Sequence, residues 1–217
     1  MRIPPEPEVP LVHERTYDVR AYRKSATELL IRGAVRDDKP GDLYVPDDPE
    51  PLTFHHMVVD LVVGFPTMEI THAEVVMETH PHEECTRIEP HYENLVGLSI
   101  ARGFTHKVRE LFGGPRGCTH TTALLQAMAP VAIQSIWSMR MLDDGSEMVA
   151  PPLGKNPTPE QIRERMAFNI NSCHVWADDS EMWQRIDAGE EFTLPRTIIE
   201  RLEARGLDAD SWRERMG

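Results

Sequence analysis

The chain has 217 residues, of which 40% are apolar and 27% charged, a composition typical of a soluble globular protein. Its 23 basic and 36 acidic residues give a formal net charge of −13, which disfavours binding to nucleic acid or to an anionic membrane surface. No apolar run is long enough to span a membrane, and the proline-rich, acidic N-terminus lacks the apolar core of a signal peptide, so we expect a cytoplasmic protein.

Four stretches in the first half have the β-branched and aromatic residues typical of strands, namely 15–24, 27–37, 54–63 and 67–79. The acidic, proline-rich stretch 37–53 predicts a loop between the second and third strands. In the fourth stretch, 67–79, the apolar residues change parity after Ile70, which predicts a β-bulge near Thr71 and His72. We therefore expect an antiparallel sheet of about four strands, preceded by a tail at residues 1–14.

The second half shows the spacing of three and four between apolar residues that is typical of helices. Helices are predicted at 88–98, at 104–114, from Cys118 to about Met141, and from a threonine cap at Thr158. Strands followed by packed helices predict an α+β domain, which we place at residues 15–180. Short amphipathic helices at 181–217 could pack on that domain or form a homo-oligomer with a second subunit.

Histidine and cysteine side chains recur at junctions between the predicted elements. His55 and His56 open the third strand, and Cys85 lies between the last strand and the first helix. Cys118 opens the long apolar helix, two residues before His120. A helix N-terminus stabilises a thiolate, and one imidazole with two thiolates can hold catalytic zinc with one open position. Lone cysteines are also among the most buried residues, so a structural role stays open for both cysteines.

Other polar side chains are weaker candidates for a site. Cys173 and His174 adjoin each other, and their type and position fit local burial as well as metal ligation. Among the carboxylates, Asp60, Glu83 and Glu84 could each act as a base beside a metal.

Several blocks of the sequence resemble a bacterial family, the domain of unknown function 2889 family: residues 15–24, 54–63, 83–120 and 171–179. The resemblance covers about residues 13 to 180, and its G-C-T-H block at 117–120 is quite specific. This chain has His56 where the family commonly has aspartate, and Thr86 where it commonly has proline. The family name implies no activity.

The order of the junctions also resembles the U-type iron–sulfur cluster scaffold fold, in which three cysteines at such junctions bind a cluster or zinc. Carried over by position, His55 takes the place of the first cysteine, Cys85 of the second and Cys118 of the third. The histidine at the first position departs from that family and argues against a role in cluster assembly.

These observations together predict one mononuclear metal site with His55, Cys85 and Cys118 as ligands. His120 or His56 would be a fourth ligand or an acid/base group, and the metal would be zinc, with iron as second choice. We expect a metal-dependent hydrolase or lyase that acts on a small, uncharged or apolar substrate.

Two alternatives stay open at this point. The protein could be an iron–sulfur or zinc carrier, or a scaffold for another protein, without catalysis. It could also act without metal, with Cys118 as a nucleophile that His120 activates, although residues two apart on a helix are poorly placed for side-chain contact.

Overall fold

The computed structural model describes residues 7–101, 103–142, 158–167, 169–190 and 194–208. The chain forms two compact units, Met1–Met148 and Val149–Gly217. The predicted division into residues 1–14, 15–180 and 181–217 places its boundaries elsewhere and stays a prediction.

The first unit contains the predicted antiparallel sheet. Its strands follow the chain order: β1 Glu14–Arg23, β2 Glu28–Lys39, β3 Leu52–Gly64 and β4 Glu69–Thr79. Every neighbouring pair is antiparallel, so the α+β fold class and the sheet are confirmed.

One face of the sheet is buried beneath helices. In β2 the residues at alternate positions, Leu29, Ile31 and Val35, are at most 2% exposed, as expected when a sheet has one covered face. Between them lies Gly33, where an added Cβ would meet the Met128 sulfur at 2.8 Å. The glycine therefore allows a helix to approach the sheet closely at the middle of β2.

Besides a register shift between His56 and Met57, two β-bulges change the register of the sheet. Val62 pairs with His72 and Val63 with Ile70, which leaves Thr71 as the extra residue of β4 and confirms the predicted bulge. A second shift separates Asp37 from Asp38, which pair with His55 and Thr53, so that Phe54 is the extra residue of β3. The second bulge lies at the end of the sheet where the candidate site forms.

The helical segments of this unit follow the strands: a 3₁₀ segment Cys85–Leu95, α1 Phe104–Phe112, a 3₁₀ turn Gly114–Arg116 and α2 Thr119–Met141. The first of these was predicted as a helix and is wound as 3₁₀, and it contains Pro90, which cannot donate an α-helical hydrogen bond. The long helix α2 packs across β1, β2 and β3. Its first turn lies near the end of β2, as described below.

The second unit contains α3 Pro159–Arg165, a 3₁₀ turn His174–Trp176, α4 Glu181–Asp187 and α5 Arg196–Glu203. The predicted cap of α3 is confirmed, because Gln161 N–H donates to Thr158 Oγ1 at 3.3 Å and Thr158 N–H donates to Gln161 Oε1 at 2.8 Å. Trp183 and Ile186 of α4 are buried.

None of the helices that the structure describes combines the length and the apolar content needed to cross a membrane. The predicted cytoplasmic location stays a prediction.

Candidate metal centre

One buried carboxylate lies at the centre of a cluster of basic side chains near the end of the sheet. The Asp37 side chain is 3% exposed and continues the buried alternation of β2 beyond Val35. The register places Arg15 of β1 opposite it on one side and His55 of β3 opposite it on the other. Three neighbouring strands therefore supply one row of polar side chains on the covered face.

Arg15 holds this carboxylate in a two-point contact. Its Nε donates to Asp37 Oδ1 at 2.5 Å and its Nη2 donates to Oδ2 at 2.7 Å. Burial by itself would raise the pKa of Asp37, but the hydrogen bonds and charge of Arg15 outweigh it and, with His120 and His13, lower that pKa to about 2. Asp37 is therefore ionised throughout the neutral range.

Two imidazoles approach the same oxygen of this carboxylate. His120 Nε2 lies 3.0 Å and His55 Nδ1 lies 3.3 Å from Asp37 Oδ2. The two rings stack, with centroids 3.8 Å apart and planes 25° apart. One ligand atom from each of Asp37, His55 and His120 lies within 4.8 Å of the other two. These three residues are called the Asp37 group below.

His55 Nδ1 has an unusual environment. It is shielded from solvent and, among the described residues, has no partner in full hydrogen-bond geometry, its near polar neighbour being Asp37 Oδ2 at 3.3 Å. Burial lowers the pKa of both His55 and His120, and the negative charge of Asp37 only partly opposes this. Two neutral rings therefore face a carboxylate oxygen with at least one buried nitrogen unsatisfied, an arrangement that calls for an explanation.

Cys118 lies beside the Asp37 group. It caps α2 with extended backbone angles, φ −85° and ψ 130°, and its Sγ is 3.7 Å from His120 Nδ1. Residues two apart on a helix are poorly placed for contact, but this prediction does not apply to Cys118 and His120, because Cys118 precedes the helix. Its backbone N–H donates to Tyr92 Oη at 2.8 Å, which ties the start of α2 to the 3₁₀ segment. The sulfur is thus next to the ring nitrogen of His120 that faces away from Asp37.

The predicted ligand set of His55, Cys85 and Cys118 is corrected by these positions. The structure joins His55 to Asp37 and His120, and the cysteines do not enter this group. Because α2 begins one residue after Cys118, its first turn brings His120 to β2 and leaves the cap residue outside. Cys85 opens the 3₁₀ segment and packs, partly buried, against the apolar core.

His56 and Cys173, also named from the sequence, do not belong to the Asp37 group. His56 follows His55 in β3 and pairs with Arg36 and Thr79, and adjacent strand residues face opposite sides of a sheet. Cys173 is exposed in the second unit.

Sequence reasoning missed Asp37. Of the carboxylates considered as bases, Asp60 instead receives two hydrogen bonds from Arg32, at 2.8 and 2.6 Å. A signal for Asp37 was present, because it shares the parity of Leu29, Ile31 and Val35 in β2. A carboxylate at a position of buried parity needs a partner, and this marks it as a candidate.

The match to a known family covers this whole group. A family described as "Protein of unknown function (DUF2889)" matches residues 13–134 of the chain. The chain belongs to the DUF2889 family. Asp37, His55 and His120 all lie within the DUF2889 region, which ends well before the residue 180 that was predicted. Neither a curated protein nor a solved structure matches the chain, so the resemblance to the U-type scaffold fold has no structural neighbour to support it.

Proposed function

We propose that the DUF2889 domain of this chain binds one divalent metal ion through Asp37, His55 and His120, and that the ion serves a hydrolase or lyase reaction on a small organic molecule. The unsatisfied, buried Nδ1 of His55 carries the proposal, since it lies 3.3 Å from a carboxylate oxygen without a hydrogen bond. A metal ion between these atoms would satisfy the ring nitrogen and the carboxylate together.

The surroundings of Asp37 suit a metal ligand. Its Oδ2 faces both imidazoles and receives the Nη2 of Arg15 at 2.7 Å, while Oδ1 receives the Nε of Arg15 at 2.5 Å and has His13 Nε2 at 3.6 Å. Carboxylates that bind metal are commonly held by such outer hydrogen bonds, which fix their orientation. Arg15 would therefore fix the carboxylate, and the two imidazoles would complete the set.

The donor atoms favour zinc, with iron as the second choice. Two imidazole nitrogens and one carboxylate oxygen form the protein ligand set of catalytic zinc sites that keep a position open. The same set, with more open positions, holds non-haem iron(II). A carboxylate and an imidazole stand where two thiolates were predicted, and both are harder ligands than thiolate. Such ligands also suit iron(II), so iron stays the second choice.

Such a site would supply Lewis-acid chemistry. When bound, a zinc ion with three protein ligands lowers the pKa of a bound water to roughly 7 and polarises a carbonyl oxygen. His120 is then a ligand and His56, next to His55 in β3, faces the opposite side of the sheet, so we assign the acid/base role to neither. His13, 37% exposed and 3.6 Å from Asp37 Oδ1, is the next imidazole, and we assign it the proton transfer.

A carrier or scaffold without catalysis was the alternative prediction. An iron–sulfur cluster needs thiolates close together. Where the structure describes the cysteines, Cys85 packs on the core of the first unit, Cys118 caps α2 and Cys173 lies in the second unit. Among the described residues the candidate metal-binding group contains no cysteine, which supports the mononuclear proposal over a cluster.

The test is metal binding by full-length protein stripped with a chelator. We expect about one zinc per chain by elemental analysis after reloading, and loss of that zinc in the double variant His55→Ala/His120→Ala. The matched control is His56→Ala, which removes the neighbouring imidazole from the same strand and should keep the zinc. Equal zinc content in the double variant and the wild type would contradict the proposal.

A further inference from the structure

An aromatic pair borders the Asp37 group on the β3 side. The ring of Phe54 lies 6.5 Å from that of His55, and the ring of Tyr44 lies 5.0 Å from that of Phe54, tilted by 59°. Both separations fall within the range in which aromatic rings attract one another. Tyr44 and Phe54 are called the aromatic edge below.

The bulge in β3 explains the position of Phe54. As the extra residue between Thr53 and His55, it has no partner in β2 and departs from the regular alternation of the strand. Bulges often occur next to active sites, where they redirect a side chain. Here the bulge puts an aromatic ring directly beside a proposed metal ligand.

The loop between β2 and β3 brings Tyr44 to Phe54. Asp42 N–H donates to Asp48 O at 2.7 Å, which closes the loop on itself. Lys39 at the end of β2 places its Nζ 5.9 Å from the centre of the Tyr44 ring, a cation–π contact at the outer limit of such distances. Tyr44 is thus held by contacts with both strands that flank the loop.

Tyr44 of the aromatic edge is open to solvent, and Phe54 is half-buried. Tyr44 is 55% exposed and lies between two further exposed apolar residues, Leu43 and Val45 at 53% and 47%. Grouped, exposed apolar side chains beside a set of polar, convergent groups are typical of a ligand-binding surface. By contrast, Tyr92, which joins α2 to the 3₁₀ segment, is 1% exposed.

We propose that the substrate carries an aromatic ring next to the group that reaches the metal, and that this ring packs against Tyr44 and Phe54. The inference rests on the proposed metal site, because the reacting group is placed there. Because Arg15 compensates the charge of Asp37, a bound divalent ion would leave the site positively charged, so the aromatic substrate would reach it through a neutral or anionic oxygen.

A pair of metal-binding probes isolates the contribution of the ring. Acetohydroxamate and benzohydroxamate bind a metal through the same two oxygens and differ in a methyl against a phenyl group. Titration of zinc-loaded, full-length protein by calorimetry should show benzohydroxamate binding about tenfold more tightly, as expected for packing of one ring.

Variants of the aromatic edge assign that preference to the proposed surface. Tyr44→Ala and Phe54→Leu should each reduce the phenyl preference to about threefold or less and leave the affinity for acetohydroxamate unchanged. The matched control is Tyr22→Ala in β1, because Tyr22 is 45% exposed and lies outside the edge. Phe54→Leu keeps an apolar side chain at the bulge, and Tyr44→Ala changes an exposed loop residue, so both variants should fold.

The outcomes separate the two proposals. Equal binding of both probes, or a phenyl preference that survives both variants, overturns the aromatic substrate and leaves the metal site intact. Zinc-loaded protein that binds neither probe also overturns it. If the chelator-treated protein takes up no zinc, the proposed function fails first and the substrate inference falls with it.

Discussion

Two arginine–aspartate pairs on the same sheet show how the surroundings change the role of one interaction. Arg15 contacts Asp37 at 2.5 and 2.7 Å, and Arg32 contacts Asp60 at 2.8 and 2.6 Å, both through two parallel hydrogen bonds. The Asp37 side chain is 3% exposed and the Asp60 side chain 16%, while Arg32 is 59% exposed. The pairs match in chemistry and differ in the solvent around them.

The difference in position decides what else each carboxylate meets. Asp37 continues the buried alternation of β2, where α2 covers the sheet and brings His120 within 3.0 Å. Arg32 belongs to the opposite, exposed alternation of the same strand. A bidentate pair on an exposed face contributes little to stability, whereas a carboxylate at a covered position also gathers imidazoles. The buried Arg15–Asp37 pair is therefore the one whose carboxylate also meets other polar side chains.

Asp37→Asn should produce the largest change in the protein. Removing the charge eliminates a ligand and leaves Arg15 without its partner, so we expect loss of bound zinc and a decrease of about 2–3 kcal/mol in the free energy of unfolding. Because Arg15 is 34% exposed and can regain water, the decrease falls below that of a fully buried pair. Urea unfolding of metal-free protein and elemental analysis of reloaded protein measure the two effects.

Asp60→Asn makes the same chemical change in the other pair. We expect it to retain zinc and to lower the free energy of unfolding by less than about 1 kcal/mol. Equal effects of the two variants on zinc content or on stability would contradict the proposal that burial gives Asp37 a role that Asp60 lacks.

The effect of Asp37→Asn should depend on acidity. The pKa of Asp37 is about 2 in the folded chain against 3.8 ordinarily, so its stabilising effect is complete above pH 3.8 and is lost as the pH falls toward 2. The full effect corresponds to about 2 kcal/mol of stabilisation, and about 1 kcal/mol of it is lost by pH 3. The difference in free energy of unfolding between metal-free wild type and Asp37→Asn should therefore shrink by about 1 kcal/mol between neutral pH and pH 3 in urea unfolding. A constant difference across that range would contradict the depressed pKa.

Changes at Cys118 should affect zinc binding less than Asp37→Asn does. Its sulfur lies 3.7 Å from His120 Nδ1 and can accept the ring N–H, which turns Nε2 toward Asp37. Cys118→Ala should weaken zinc binding about tenfold, and Cys118→Ser, whose hydroxyl can accept the same hydrogen bond, should restore most of it. Competition with a chromophoric chelator measures both.

Cys85→Ala is the matched thiol control for this prediction. Cys85 packs against the core and lies outside the Asp37 group, so its loss should leave zinc affinity unchanged. A Cys118→Ala variant that binds zinc as tightly as the wild type would remove the sulfur from any role in orienting His120.

Much of the fold could be predicted because it follows from local pattern. The β-branched residues of 27–37 and the parity change after Ile70 are local signals, and both the strand and the bulge at Thr71 are present. The cap at Thr158 depends on neighbouring residues alone and was also predicted. The 3₁₀ winding of Cys85–Leu95 was not, since its apolar spacing is also compatible with an α-helix.

The candidate site was predicted less well. His55 and His120 were singled out because they stand where predicted elements begin, and both belong to the Asp37 group. Cys85 and Cys118 were chosen for their chemistry at similar junctions. A position at a junction indicates that a side chain can point into a site, but not which other residues it meets there. Residue type and element ends therefore could not distinguish the residues of the Asp37 group from the two cysteines outside it.

The amino-acid sequence by itself determined the four strands, the helices that follow them, the excess of acidic residues and the DUF2889 membership. Only the tertiary structure decided that Asp37 meets His55 and His120. That meeting depends on the register of β2 with β3 and on α2 starting one residue beyond Cys118. A shift of a single residue in a strand turns a side chain to the other face, so the contact is a property of the assembled sheet and helix.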